Sequence, residues 1–88
     1  MKRREIQAEG TFTSELAILL PNAKVADEIL DGATLALWYM AEEIGIKIPD
    51  TDIYCVMASD FPNKRFLAVF YTIDNGCVSL QSVKAVAI

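Results

Sequence analysis

Residues 65–83 read RFLAVFYTIDNGCVSLQSV, two β-rich runs hinged on Asn75-Gly76. Both residues of that dipeptide accept positive φ, which makes it a strong signal for a two-residue hairpin turn. It pairs Asp74 with Cys77, Ile73 with Val78, Tyr71 with Leu80 and Phe70 with Gln81. Upstream, Ile53–Ser59 is a further β run, separated from Arg65 by the loop-forming Asp60-Phe61-Pro62-Asn63-Lys64. The C-terminal half is therefore expected as a three-stranded antiparallel meander, with strands at 53–59, 65–73 and 77–86.

Before the meander the periodicity is helical. From Ala23 to Ile44, Val25, Ala26, Ile29, Leu30, Ala33, Ala36, Leu37, Met40, Ala41 and Ile44 share one side. Lys24, Asp27, Glu28, Asp31, Thr34 and Glu42 share the other. Asn22 is a suitable N-cap, and Gly45 followed by Pro49 ends the helix. Residues 4–20 alternate in period two, with Ile6, Ala8, Phe12, Leu16, Ile18 and Leu20 on one parity. They are expected as a strand, or as a hairpin split at Gly10, with a short helix from Thr13 as the competing reading. One α+β domain over residues 1–88 follows: a two-layer sandwich of N-terminal strand or hairpin, one long helix and the meander.

Closing the first hairpin with Ser59 opposite Arg65 assigns the sheet faces. Ile53, Cys55, Met57, Leu67, Val69, Tyr71, Ile73, Val78 and Leu80 fall beneath the helix. Tyr54, Val56, Ala58, Phe66, Ala68, Phe70, Thr72, Ser79, Gln81 and Val83 fall on the opposite face. A slip of one residue exchanges a strand's two faces. The second face is richer in apolar groups than a solvated sheet requires. On the helix, Trp38 with Leu35 and Tyr39 sits on the polar side, beside an acidic rim. The expected partner-binding residues are therefore Leu35, Trp38, Tyr39, Tyr54, Phe66 and Phe70.

Charge and composition exclude several classes of chemistry. The chain carries no histidine, so Ser-His-Asp and Cys-His arrangements and imidazole zinc sites are ruled out. Cys55 and Cys77 have neither metal nor disulfide-framework spacing, and Cys55 is expected as a small buried hydrophobe. The carboxylate pairs Asp27/Asp31 and Asp50/Asp52 read as solvated charge, and no phosphate-binding glycine string occurs. No catalytic, cofactor-binding or metal residue is expected. A net charge of −4 disfavours nucleic-acid binding, and Lys2-Arg3-Arg4 reads as a solvated tail. No signal-like or membrane-spanning run is seen, so the cytoplasm is the expected compartment and no membrane partner is expected.

The apolar fraction of 53% exceeds the roughly 45–50% usual for soluble domains, which suggests apolar surface closed by a partner. The expected function is that of a small non-enzymatic protein acting through protein–protein contacts as an adaptor, regulator or inhibitor. Its expected partners are a second copy in a homodimer and an unidentified protein. Two alternatives stand beside it. One is an acidic nucleic-acid mimic of the phage or plasmid type, using Asp27, Glu28, Asp31 and Glu42 as phosphate surrogates. The other is a small-ligand-binding subunit with a pocket between helix and sheet.

Overall fold

A computed structural model describes residues 5–60 and 63–87, apart from the side chains of Ala33, Leu35 and Ala87. Lys2-Arg3-Arg4 and Phe61-Pro62 lie outside the described residues. The chain runs β1 (Glu5–Ala8), α1 (Gly10–Leu19), α2 (Ala23–Ile44), β2 (Ile46–Lys47), β3 (Ile53–Asp60), β4 (Arg65–Asp74) and β5 (Cys77–Ala87). A non-helical Met40 kinks α2 near its end. All five strands form one sheet in the order β1-β5-β4-β3-β2, antiparallel except that β1 runs parallel to β5.

The N-terminal segment corrects the expectation of a long strand or hairpin. Only Glu5–Ala8 is extended, and it pairs with Cys77–Leu80 rather than with its own continuation. From Gly10 the chain is helical, as the competing reading had it, though it starts earlier. Phe12, Leu16 and Leu20 recur every four residues, a spacing that satisfies strand parity and a helical stripe alike. Adding Leu19 resolves the ambiguity, because positions 12, 16, 19 and 20 form one helical face. Phe12 and Leu20 are buried, and Leu16 and Leu19 pack against the same core.

Helix α2 has the expected bounds. The Asn22 side chain accepts hydrogen bonds from the Lys24 and Val25 amides, so the N-cap is realised. Ala26, Leu37 and Ala41 are buried, with Val25, Ile29, Leu30 and Ile44 packed around them. Met40, expected on the buried side, is turned outward by the kink and exposed. Gly45 ends the helix without the left-handed conformation of a glycine cap, its φ being −87°. It serves to leave space: a Cβ there would overlap the hydroxyl of Tyr71. That hydroxyl is fully buried and donates to the Ala41 carbonyl at 2.5 Å.

The Asn75-Gly76 turn forms as expected, with φ of 48° and 78°. The preceding turn does not. Asp60, not Ser59, stands opposite Arg65, a slip of one residue that exchanges the two faces of β3. Tyr54, Val56 and Ala58 therefore face the helices, and Ile53, Cys55 and Met57 face away. An irregularity opposite Phe70/Tyr71 likewise shifts β5 by one, pairing Phe70 with Ser82 and Val69 with Val83. Val83 consequently enters the core, 1% exposed, beside Leu67, Val69, Tyr71, Val78 and Leu80. Each such side chain contributes about 1.5–3 kcal/mol by leaving water.

Electrostatics explain the register. Asp60 is 0% exposed and accepts from Arg65 Nε at 2.8 Å and from Asn63 Nδ2 at 3.0 Å. Arg65 Nη2 continues to the Leu19 carbonyl at 2.7 Å, joining the β3–β4 turn to the end of α1. Pairing Ser59 with Arg65 would break this arrangement. Burial opposes ionisation of Asp60, but the bonds from Arg65 and Asn63 outweigh it and hold the carboxyl below its ordinary range.

Two predictions follow from these contacts. Gly45→Ala should destabilise the fold by about 1–3 kcal/mol by displacing Tyr71, whereas Gly32→Ala, with open space at its Cβ, should stabilise it by about 0.5–1 kcal/mol. Urea titration of both variants checks the opposite signs. Because Asp60 has a depressed folded pKa, its stabilisation is present above the unfolded value near about 4 and lost as pH falls through the folded one. Asp60→Asn should therefore lower stability at neutral pH and flatten the acid limb, which thermal melts from pH 7 to pH 2 would reveal.

Candidate functional site

The corrected register redraws the surface. The face turned away from the helices carries Ile53, Cys55 and Met57 from β3, and Phe66, Ala68, Phe70 and Thr72 from β4. Met57 is 54% exposed and Phe66 40% exposed, while Phe70 is half-buried. Ala68 is buried despite its open position, because larger neighbours stand on either side of it. Ser82 and Lys84 of β5 register with Phe70 and Ala68 and bond to Glu15 of α1. Those partners, Lys84 first and then Ser82, hold the Glu15 carboxyl below its usual range. The N-terminal segment thus covers one margin of the face and leaves its centre open.

Of the residues expected to bind a partner, Phe66 and Phe70 share this open face. Tyr54 does not: the slipped register places it on the helix side, stacked on Tyr71 with ring centroids 5.5 Å apart. Trp38 is half-buried on α2 and Tyr39 is exposed beside it. The backbone of Leu35 lies within α2, but its side chain is outside the described residues. The expected site is therefore two separate surfaces. Met57 was assigned to the core and joins the open face; only a correct turn register could have found it.

Cys55 also moves from the expected core to the open face, where it is half-buried between Ile46 and Phe70. Burial pushes its thiol pKa upward, against the requirement for a reactive nucleophile. Asp27, Glu28, Asp31 and Glu42 are exposed on α2. Among the described residues no group of three or more His, Cys, Asp or Glu side chains could hold a metal ion. No helix among them is long and apolar enough to cross a membrane.

Two hollows flank β3. One, about 570 Å³, runs between α2 and the outer half of β3, lined by Val25, Glu28, Ile29, Gly32, Met57 and Ser59 among others. The second, about 520 Å³, is polar and bounded by Lys47, Asp52, Tyr54, Thr72 and Asp74. Both open widely to solvent, and the second gathers Lys47, Asp52, Tyr54 and Asp74 at its rim. The first occupies the place between helix and sheet where the ligand-binding alternative expected a pocket.

No protein-family profile and no curated protein matches the chain. Among solved structures it is similar to a chain of the toxin–antitoxin complex RelBE2 from Mycobacterium tuberculosis. The TM-score is 0.72, with 100% of this chain and 97% of that chain covered at 16% sequence identity. The fold is accordingly RelE-like: an N-terminal strand, a helical layer, then an antiparallel meander in one mixed five-stranded sheet. The likeness extends over the whole of this chain.

The surroundings of Cys55 lead to a chemical prediction. At pH 8 it should react with Ellman's reagent more slowly than a free model thiol, and mild denaturant should bring the rate up to that of the model compound. Alkylation kinetics on the Cys77→Ser variant isolate the residue.

Proposed function

We propose that this chain is the RelE-fold component of a two-protein toxin–antitoxin-type pair in the cytosol, acting by protein contact rather than by catalysis. The end-to-end likeness to a chain of such a complex carries the first part of this reading. An antitoxin-like protein is the partner it implies. The chemistry of the open sheet face supports the second part.

That face presents Ile53, Met57, Phe66 and Phe70, which suit a protein surface and offer nothing to a phosphate backbone. Arg65 is committed to Asp60 and the Leu19 carbonyl, and Lys84 to Glu15. Among the described residues, Lys24, Lys47 and Lys64 stand on three different elements or turns. Cleaving RNA calls for a placed base, a placed acid and cationic stabilisation of the transition state. Histidine is absent from the whole chain, and the net charge of −4 repels the substrate. Without its partner, the same apolar face pairs two copies of the chain.

Purified protein should leave both naked RNA and ribosome-bound mRNA intact, and should scatter light as a dimer. Phe66→Asp should convert it to a monomer with unchanged circular dichroism. RNA cleavage that copurifies with the protein through successive columns would overturn the non-catalytic reading. A wild-type monomer at high concentration would remove the dimer.

A further inference from the structure

We infer that the outer edge of β3 at Met57 and Ser59 is a docking site for an extended segment of a partner protein, bearing apolar residues that alternate with Lys or Arg. This rests on the partner-binding reading above and places the contact on the backbone edge of β3, which adjoins the open face at Met57.

The argument begins with backbone direction. The Ile48 amide donates to the Ile53 carbonyl at 2.8 Å, so the polar groups of Ile53 point toward β2. Successive residues of a strand point their backbone groups to opposite sides. Cys55, Met57 and Ser59 therefore point the same way as Ile53, while Tyr54, Val56, Ala58 and Asp60 point to β4. Strand β2 ends with Ile46 opposite Cys55. Among the described residues, no strand pairs with the outward N–H and C=O groups of Met57 and Ser59. Natural edges are commonly blunted by charge, proline or a bulge. Here Val56-Met57-Ala58-Ser59 is uncharged and continuous in register with β4.

The same edge forms the floor of the 570 Å³ groove. A strand added there hydrogen-bonds to Met57 and Ser59 and turns alternate side chains toward Val25, Ile29, Gly32 and Ala36 of α2. Gly32 leaves open space where a Cβ would stand, which gives room for a branched side chain. Glu28 lines the groove and Asp27 and Asp31 are exposed beside it, so cationic residues complement the wall. A second copy fits less well. It would bring its own α2 and Glu28 into a space that α2 already bounds, placing like charges together.

The test has an internal control within one strand. In the unliganded full chain, the Met57 and Ser59 amides should exchange with deuterium near the unprotected rate, while Val56 and Ala58 are protected. A random short-peptide display library selected against the immobilised chain should yield sequences alternating Val, Ile or Leu with Lys or Arg. A bound peptide should slow exchange at Met57 and Ser59 by about tenfold or more. Ser59→Pro removes only an outward donor, so it should keep the fold and weaken these peptides by about tenfold or more. Protected Met57 and Ser59 amides in the free monomer, or edge protection that grows with protein concentration, would overturn the inference. So would a selection whose peptides all survive Ser59→Pro or protect the open face. RNA cleavage by the chain would sink the proposed function and leave these exchange results standing.

Discussion

The buried Asp60–Arg65 pair governs which side of the sheet is core and which is surface. Taking a carboxylate out of water is costly, and the cost is met only where bonded partners replace hydration. Arg65 and Asn63 supply those bonds in one register of the β3–β4 turn and not in its neighbour. With that register fixed, Val56 and Ala58 meet the helices, and Met57 meets solvent or a partner. Arg65 also reaches the last turn of α1, so the same ion pair ties the helical layer to the sheet. A single charged contact thus settles an apolar arrangement.

The two candidate interaction surfaces differ in physical kind. The open face works through side chains, a broad apolar area whose energetics scale with the surface removed from water. The β3 edge works through main-chain groups held at fixed spacing, with side-chain selection coming from the α2 wall. One suits a flat protein surface and the other an extended segment. Such a segment wraps a folded partner without needing a core of its own. The sheet offers room for both because α2 packs on one face alone and α1 reaches only a margin of the other.

Periodic patterns were legible in the sequence wherever a run was long or a turn had special backbone demands. Helix α2 appears with its bounds and its Asn22 cap, and the Asn75-Gly76 turn forms as its residues require. The short or symmetric cases were not legible. Phe12, Leu16 and Leu20 satisfy two periods at once, and only packing against the shared core selects the helix. Strand β2 spans two residues, too few to show any alternation. The faces of β3 depended on a loop whose length could be counted in two ways. The decisive Asp60 looked like an ordinary loop residue because its partners, Arg65 and Asn63, reach it only once the turn has closed. Phe66 and Phe70 were assigned to the exposed face correctly, since β4 kept its parity. Tyr54 was lost and Met57 missed with the slipped strand.

Strand β1 lies parallel against β5, so Glu5–Ala8 pair with Cys77–Leu80, across most of the domain's sequence. No intermediate length of chain can complete this sheet: until Cys77–Leu80 have been made, residues 5–8 have no neighbour to bond. Contacts so far apart along the chain slow folding, and they expose apolar segments while the ends remain unjoined. During synthesis the sheet therefore cannot close until β5 has left the ribosome. The interval before closure is when an unfinished copy is most open to capture by other polypeptides.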